Sequence, residues 1–280
     1  MPHRAIDFRN STVTVNQDED GKPSENRDDS CDDGPEACVR ALLEAAESVA
    51  GVGEALRCYG SEDGEIGHQR EEQVGRLGLL PRCYAIQGER LANGGEHAVY
   101  YCADTARITK VALDGSFGFI VDEKDLLDPR NFLLKRKLRH RRALPSEYLW
   151  RWAALTAFFG LPTRFEGVLW SRETLAALVV SQPFIGNDED GFPSWNEVEE
   201  FLSKRGFFKV DDDAIGDPVL HGAVWYRQRD GLLVSDVFPR NFRVASSGVI
   251  VPIDLVINVV PPGGSALLPA PEVPFQLPKF

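Results

Sequence analysis

The chain has no Cys-x-x-Cys pair, no histidine cluster and no uninterrupted apolar run near the roughly 20 residues a membrane-spanning helix needs. Its five cysteines, Cys31, Cys38, Cys58, Cys83 and Cys102, are scattered, so neither a zinc site nor a disulfide framework is expected and the thiols read as reduced. Basic residues are also in deficit, and the net charge is -12. Phosphate-backbone affinity needs a surplus of lysine and arginine, so broad nucleic-acid binding is disfavoured, as is attraction to an anionic membrane. The opening Met1-Pro2-His3-Arg4-Ala5 leads into polar sequence rather than an apolar signal core, and a cytoplasmic protein is the simplest expectation. No internal repeat is visible.

What is present is an ordinary globular balance, 43% apolar and 26% charged, enough to build a core without metals or disulfides. Residues 1–36 stand apart. They carry Asp18-Glu19-Asp20, Asp28-Asp29 and Asp32-Asp33 with little apolar surface to offset chain entropy, and read as a disordered acidic tail. Residues 37–82 read as a helical N-terminal extension. Val39, Leu42, Leu43, Ala46 and Val49 recur at helical spacing before Gly51 and Gly53, and a weaker helix around Val74 and Leu77 is stopped by Pro81.

Beyond Cys83 the pattern turns β-rich. Runs at 98–102 and 108–113 predict a hairpin, residues 146–159 a helix ended by Gly160, and 164–170 and 175–180 two further strands. A helix follows over 194–205, where Ser194 and Glu197 form a capping box. Strands are expected at 232–235, 242–245 and 249–253, and a Pro-rich tail over 261–280. The basic run Lys135-Arg136-Lys137-Leu138-Arg139-His140-Arg141-Arg142 reads either as a solvated helix or loop face or as a dock. The dock would take a phosphate-rich ligand, nucleic acid or the chain's own acidic N-terminus.

Three polar residues stand out inside apolar sequence near the end: Asp236 and Asn241 in Asp236-Val237-Phe238-Pro239-Arg240-Asn241, and Asp254 in Pro252-Ile253-Asp254 after a short hairpin. Phosphoryl transfer needs a carboxylate to accept or orient a hydroxyl and hard oxygens to hold magnesium against phosphates, and this triplet supplies both. Upstream, Gly94-Gly95-Glu96-His97-Ala98-Val99 is a glycine turn entering a strand, and Lys110 lies in the next strand.

In this order the residues resemble the protein-kinase-like superfamily, with its glycine-rich loop, strand lysine, Asp-x4-Asn loop and metal aspartate. More narrowly, Pro145-Ser146-Glu147-Tyr148-Leu149, Arg164-Phe165-Glu166-Gly167-Val168, Ser181-Gln182-Pro183-Phe184 and Pro252-Ile253-Asp254 resemble the serine/threonine/tyrosine kinase-like domain of phage and mobile-element polyvalent proteins. The resemblance covers residues 88–260.

It implies an α+β, two-lobed protein-kinase-like fold, with a small antiparallel-sheet N-lobe over 83–185 and a reduced C-lobe over 186–260. ATP and Mg2+ are the implied cofactors. Asp236, Lys110 and Glu147 would be catalytic. Gly94, Gly95, His97, Val99, Lys110, Gln182 and Phe184 would bind nucleotide, the last two at the interlobe hinge, and Asn241 and Asp254 would hold metal. Glu147 is the candidate carboxylate for Lys110; stabilising the helix dipole or an i,i+4 pair with Arg151 are its alternative roles.

Departures from the family narrow these expectations. Val234 replaces the usual histidine, Leu255-Val256 replaces Phe-Gly, and the short stretch after Asp254 leaves no room for a peptide groove. The expected activity is transfer of the γ-phosphate of ATP to a hydroxyl on an unidentified protein or small molecule. The alternative is a catalytically weak pseudokinase acting as a nucleotide-binding or interaction module.

Overall fold

The computed structural model describes residues 34–50, 63–113, 117–127, 132–170, 176–186, 191–260 and 267–277. In chain order the first elements are α1 (Pro35–Ala50), α2 (Asp63–Arg76), β1 (Glu89–Asn93), β2 (His97–Cys102), β3 (Arg107–Ala112), β4 (Phe119–Leu127), β5 (Leu134–Arg142) and α3 (Pro145–Phe159). They are followed by β6 (Arg164–Leu169), β7 (Ala177–Pro183), α4 (Trp195–Ser203), β8 (Phe208–Lys209), β9 (Trp225–Arg227), β10 (Leu232–Ser235), β11 (Phe242–Val244), β12 (Ile250–Pro252) and β13 (Val256–Val259). The fold is α+β with antiparallel sheets. Among the described residues, no helix is long and apolar enough to cross a membrane.

A five-stranded sheet in the order β1-β2-β3-β7-β6 dominates the first half. Its interior strand β7, between β3 and β6, is apolar over Ala177–Val180 and buried, as expected of a strand covered on both faces. One face lies on a small cluster that includes Ala98, Val111 and Val179; the other turns Ala112, Leu178 and Val180 towards α3. Helix α3 is apolar around most of its circumference, which suits a helix buried on all sides. Pro145 occupies its first turn, the Glu147 carboxylate accepts the Leu144 N–H at 2.8 Å, and Gly160 ends it with a left-handed φ of 77°.

The second sheet runs β13-β10-β9-β8, and β11-β12 form a separate hairpin. One core joins the two halves, with Leu42 of α1, Trp152 of α3, Val180 of β7, Val234 of β10 and Ile257 of β13 all in it. Helix α4 begins at the expected capping box, where Ser194 and Glu197 bond reciprocally.

Both ends of the described chain pack onto this core, and one expectation changes. Residues 1–33 and the glycines Gly51 and Gly53 lie outside the described residues, and α1 opens at Pro35, beside the start at Glu36 that the helical pattern implies. It is a packed helix, as its apolar stripe implies: Val39, Leu42, Ala46 and Val49 are buried in the main core, and α1 packs along α3. The basic run is neither helix nor loop; it is β5, paired residue for residue with β4. The hairpin is held down by Val121 and Leu138, which join the core beneath the second sheet, and by Asn258 Nδ2 donating to the Val121 carbonyl at 2.6 Å. Finally, the described part of the Pro-rich tail is docked, with Phe275 against Trp150 and Phe158 and the Pro269 carbonyl accepting from the Tyr226 hydroxyl at 2.7 Å.

Candidate functional site

Lys110 stands in β3 directly opposite Val99 of β2, on the sheet face turned towards α3. Burial of a lysine requires partners, and three are present. Its Nζ donates to the Ile253 carbonyl at 2.7 Å, lies 3.5 Å from Asp254 Oδ2 and sits 4.6 Å from the centre of the Trp152 ring. Burial lowers the Lys110 pKa, while the Asp254 charge opposes the fall.

The two loops of the second half meet each other through the same backbone. Asp236 follows β10 with a φ of 58°, a left-handed conformation that aspartate tolerates better than most side chains. Asn241 closes the short helical turn Pro239–Asn241, and its Nδ2 donates both to the Asp236 carbonyl at 2.7 Å and to Asp236 Oδ2 at 2.8 Å. The Asn241 carbonyl in turn accepts from Ile253 N at 2.8 Å. A single chain of hydrogen bonds therefore runs from Lys110 through Ile253 and Asn241 to Asp236, and Asp254 flanks it.

The electrostatics separate the two carboxylates. Burial, reinforced by repulsion from Asp254, pushes Asp236 up to about 6, against the pull of Arg151, Asn241 and Arg240. For Asp254 burial acts in the same direction, but Lys110 and Arg151 outweigh it and hold the carboxyl well below the usual carboxylate range. One group of the pair is thus poised to take a proton and the other stays ionised.

Arg151 is the residue that sequence reasoning missed. It projects from α3 with 1% exposure, donating from Nη2 to Asp254 Oδ1 at 2.6 Å, from Nη1 to Glu96 Oε2 at 2.7 Å and from Nε to the Leu255 carbonyl at 2.8 Å. Glu96 follows the glycine pair, and its Oε1 also accepts the Phe119 N–H. The glycine turn, α3 and the Asp254 loop are therefore pinned by one guanidinium. A charged residue set between Trp150 and Trp152 in an apolar helix was the available signal, since such a residue must find a partner.

The remaining expected residues are distributed as follows. Gly94 and Gly95 form the turn between β1 and β2, with Gly94 N donating to the His97 carbonyl at 2.8 Å. Glu147 does not meet Lys110. Its carboxylate bonds Arg141 at 2.6 and 2.8 Å and caps α3, because it lies in the first turn, a full turn before Arg151 and on the side of the β4–β5 hairpin. His97 is not on the outer surface of the glycine turn. Strand alternation directs it inwards, where its Nε2 lies 3.0 Å from the Tyr148 hydroxyl and burial lowers its pKa to about 4, so it is neutral and shielded from a phosphate. Gln182 is buried and its amide donates to Thr163 Oγ1 at 3.2 Å. Phe184 is exposed against Tyr101, but its N–H is taken by the Ala106 carbonyl and is not free for an adenine.

Glu96, His97 and Asp254 also bring one potential metal-ligating atom each to within 4.8 Å of the others. Compared with known proteins, the chain matches no family model, no curated protein and no solved structure.

Proposed function

We propose that the chain is a protein-kinase-like phosphotransferase that passes the γ-phosphate of ATP, with magnesium, to a hydroxyl acceptor. In this reading the fold is two-lobed. The five-stranded sheet with α3 is the smaller lobe, the elements from α4 onwards are a reduced larger one, and the site lies between them. The observation that carries the proposal is the hydrogen-bond chain from Lys110 to Asp236, which gathers three separate motifs into one charged cluster.

Lys110 would steady phosphate oxygens beside the Gly94-Gly95 turn, with Val99 lining the same sheet face. Asp236, with its raised pKa, suits acceptance of the hydroxyl proton near neutral pH. Asn241 Oδ1 accepts no hydrogen bond from a described residue, and with the Asp254 carboxylate it forms the hard-oxygen donor set that magnesium prefers. Bound magnesium would neutralise phosphate charge. A cytoplasmic setting, where nucleotide is abundant, accords with this role, as does the resemblance to polyvalent-protein kinase-like domains.

A second reading, a pseudokinase that binds nucleotide without transferring phosphate, is favoured by one observation: both Asp254 oxygens already face cations, Arg151 and Lys110. Steady-state ATP turnover with magnesium, measured on the purified chain and on Asp254→Asn, separates the two. Turnover that is lost in Asp254→Asn while the fold persists supports transfer. ATP binding without turnover across a broad acceptor screen supports the pseudokinase, and absence of ATP binding overturns both.

A further inference from the structure

We propose that the Arg151 guanidinium is the resident cation of this site, standing on Asp254 and Glu96 where a divalent ion would otherwise sit, so that ATP binds with little dependence on magnesium. The inference rests on the nucleotide-binding reading above but concerns a different property of the site.

Three observations carry it. Glu96, His97 and Asp254 converge closely enough to ligate one ion. The guanidinium fills the gap between the two carboxylates of that group, 2.7 Å from one and 2.6 Å from the other, and its third bond, to the Leu255 carbonyl, fixes its plane. With Lys110 also 3.5 Å from Asp254, a divalent ion at the same carboxylate would meet two fixed positive charges. Arginine does not lose its proton in proteins, so this cation is permanent and cannot be removed by a chelator. Arg151 is a positioning residue: it acts through Asp254 and Glu96, setting the charge that a nucleotide meets. Metal needed for transfer would then arrive with the phosphates, whose charge offsets the two cations, at the Asn241 and Asp254 oxygens, and binding and transfer would differ in their metal requirement.

The test uses the full chain and two probes, ATP by titration calorimetry in EDTA or in magnesium, and Mn2+ without nucleotide by the paramagnetic resonance signal of the free ion. Wild type is expected to bind ATP within about threefold under the two conditions and to bind Mn2+ weakly. Arg151→Met is expected to lose about tenfold in ATP affinity in EDTA, recover with magnesium, and bind Mn2+ alone about tenfold more tightly. Arg151→Lys keeps the charge but not the three-way fork, so it should keep Mn2+ binding weak, as in wild type, a rescue that loss of packing alone would not predict. Strict magnesium dependence of ATP binding by wild type overturns the proposal, as does unchanged Mn2+ affinity in Arg151→Met. If wild type binds no ATP in either condition, the phosphotransferase reading falls, and the Mn2+ comparison alone decides the role of Arg151. Should the methionine protein not fold, Arg151→Gln takes its place, and the wild-type ATP comparison needs no variant.

Discussion

Asn241 holds Asp236 twice with one nitrogen, donating to its carbonyl at 2.7 Å and to its carboxylate at 2.8 Å, across a turn in which Asp236 has a φ of 58°. The clasp sets the direction of the carboxylate and stabilises the left-handed backbone beneath it. Asn241→Ala should therefore cost about 1–3 kcal/mol, the usual range for leaving a partly buried polar partner unsatisfied. The denaturation midpoint in urea would report it, and a midpoint equal to wild type would show that water replaces the amide.

Asp236 gives the protein a specific pH dependence. Its folded pKa near 6 lies above the free value of 3.8, so the folded state retains a proton that the unfolded state has released. Stability from this group is complete below about pH 4 and is lost as the pH rises through 6. Asp254 has the opposite sign: its folded pKa is depressed, so its contribution persists above the ordinary carboxylate range and is lost only in stronger acid. Asp236→Asn should flatten the slope of stability between about pH 4 and 6, measured by denaturant titration at each pH. In the same window a phosphotransferase using Asp236 as base would show an acid limb in its rate profile.

Glu147 and Lys110 should separate in mutagenesis. Glu147→Gln weakens the pair with Arg141 and the cap on α3, and should cost about 1–3 kcal/mol of stability. Lys110→Met removes the group facing Asp254 and Ile253, and should weaken ATP binding by more than Glu147→Gln does. Equal losses of ATP affinity in the two variants would reinstate Glu147 as the partner of Lys110.

Helix α1 is predicted to be indispensable. Leu42 is completely buried in the core it shares with Trp152 and Val180, and Leu42→Ala should cost about 2–5 kcal/mol through lost contacts and a cavity. Thermal unfolding followed by circular dichroism would show this as a lowered midpoint, whereas an unchanged midpoint would mark the helix as a peripheral attachment.

Local patterns in the sequence carried much of this architecture. The capping box at Ser194 and Glu197, Gly160 after an apolar helix, and the runs rich in aromatic and β-branched residues on either side of 103–106 each state their structure within a few residues, because caps and turns are decided by short-range hydrogen bonds. The β4–β5 hairpin was not legible. Its second strand reads as Lys, Arg and His with a single inward leucine, Leu138, and the partners that steady it, Asp122, Asp125 and Asp217, come from other segments. Likewise β1 is largely exposed, so it carries no apolar alternation to betray it.

The candidate site divides in the same way. The order of residues along the chain states which groups are available: a lysine in a strand, the Asp-x4-Asn turn, an aspartate after a hairpin, and carboxylates at Glu96 and Glu147. Which of them meet depends on how the elements pack. Packing α3 against both α1 and the five-stranded sheet turns Arg151 and Trp152 towards Lys110 and leaves Glu147 beside Arg141. Asp254 thereby becomes the carboxylate at Lys110, and a buried arginine becomes the charge that balances it. Ion pairs between residues 103 positions apart depend on where the backbone carries them, and no local pattern encodes that distance.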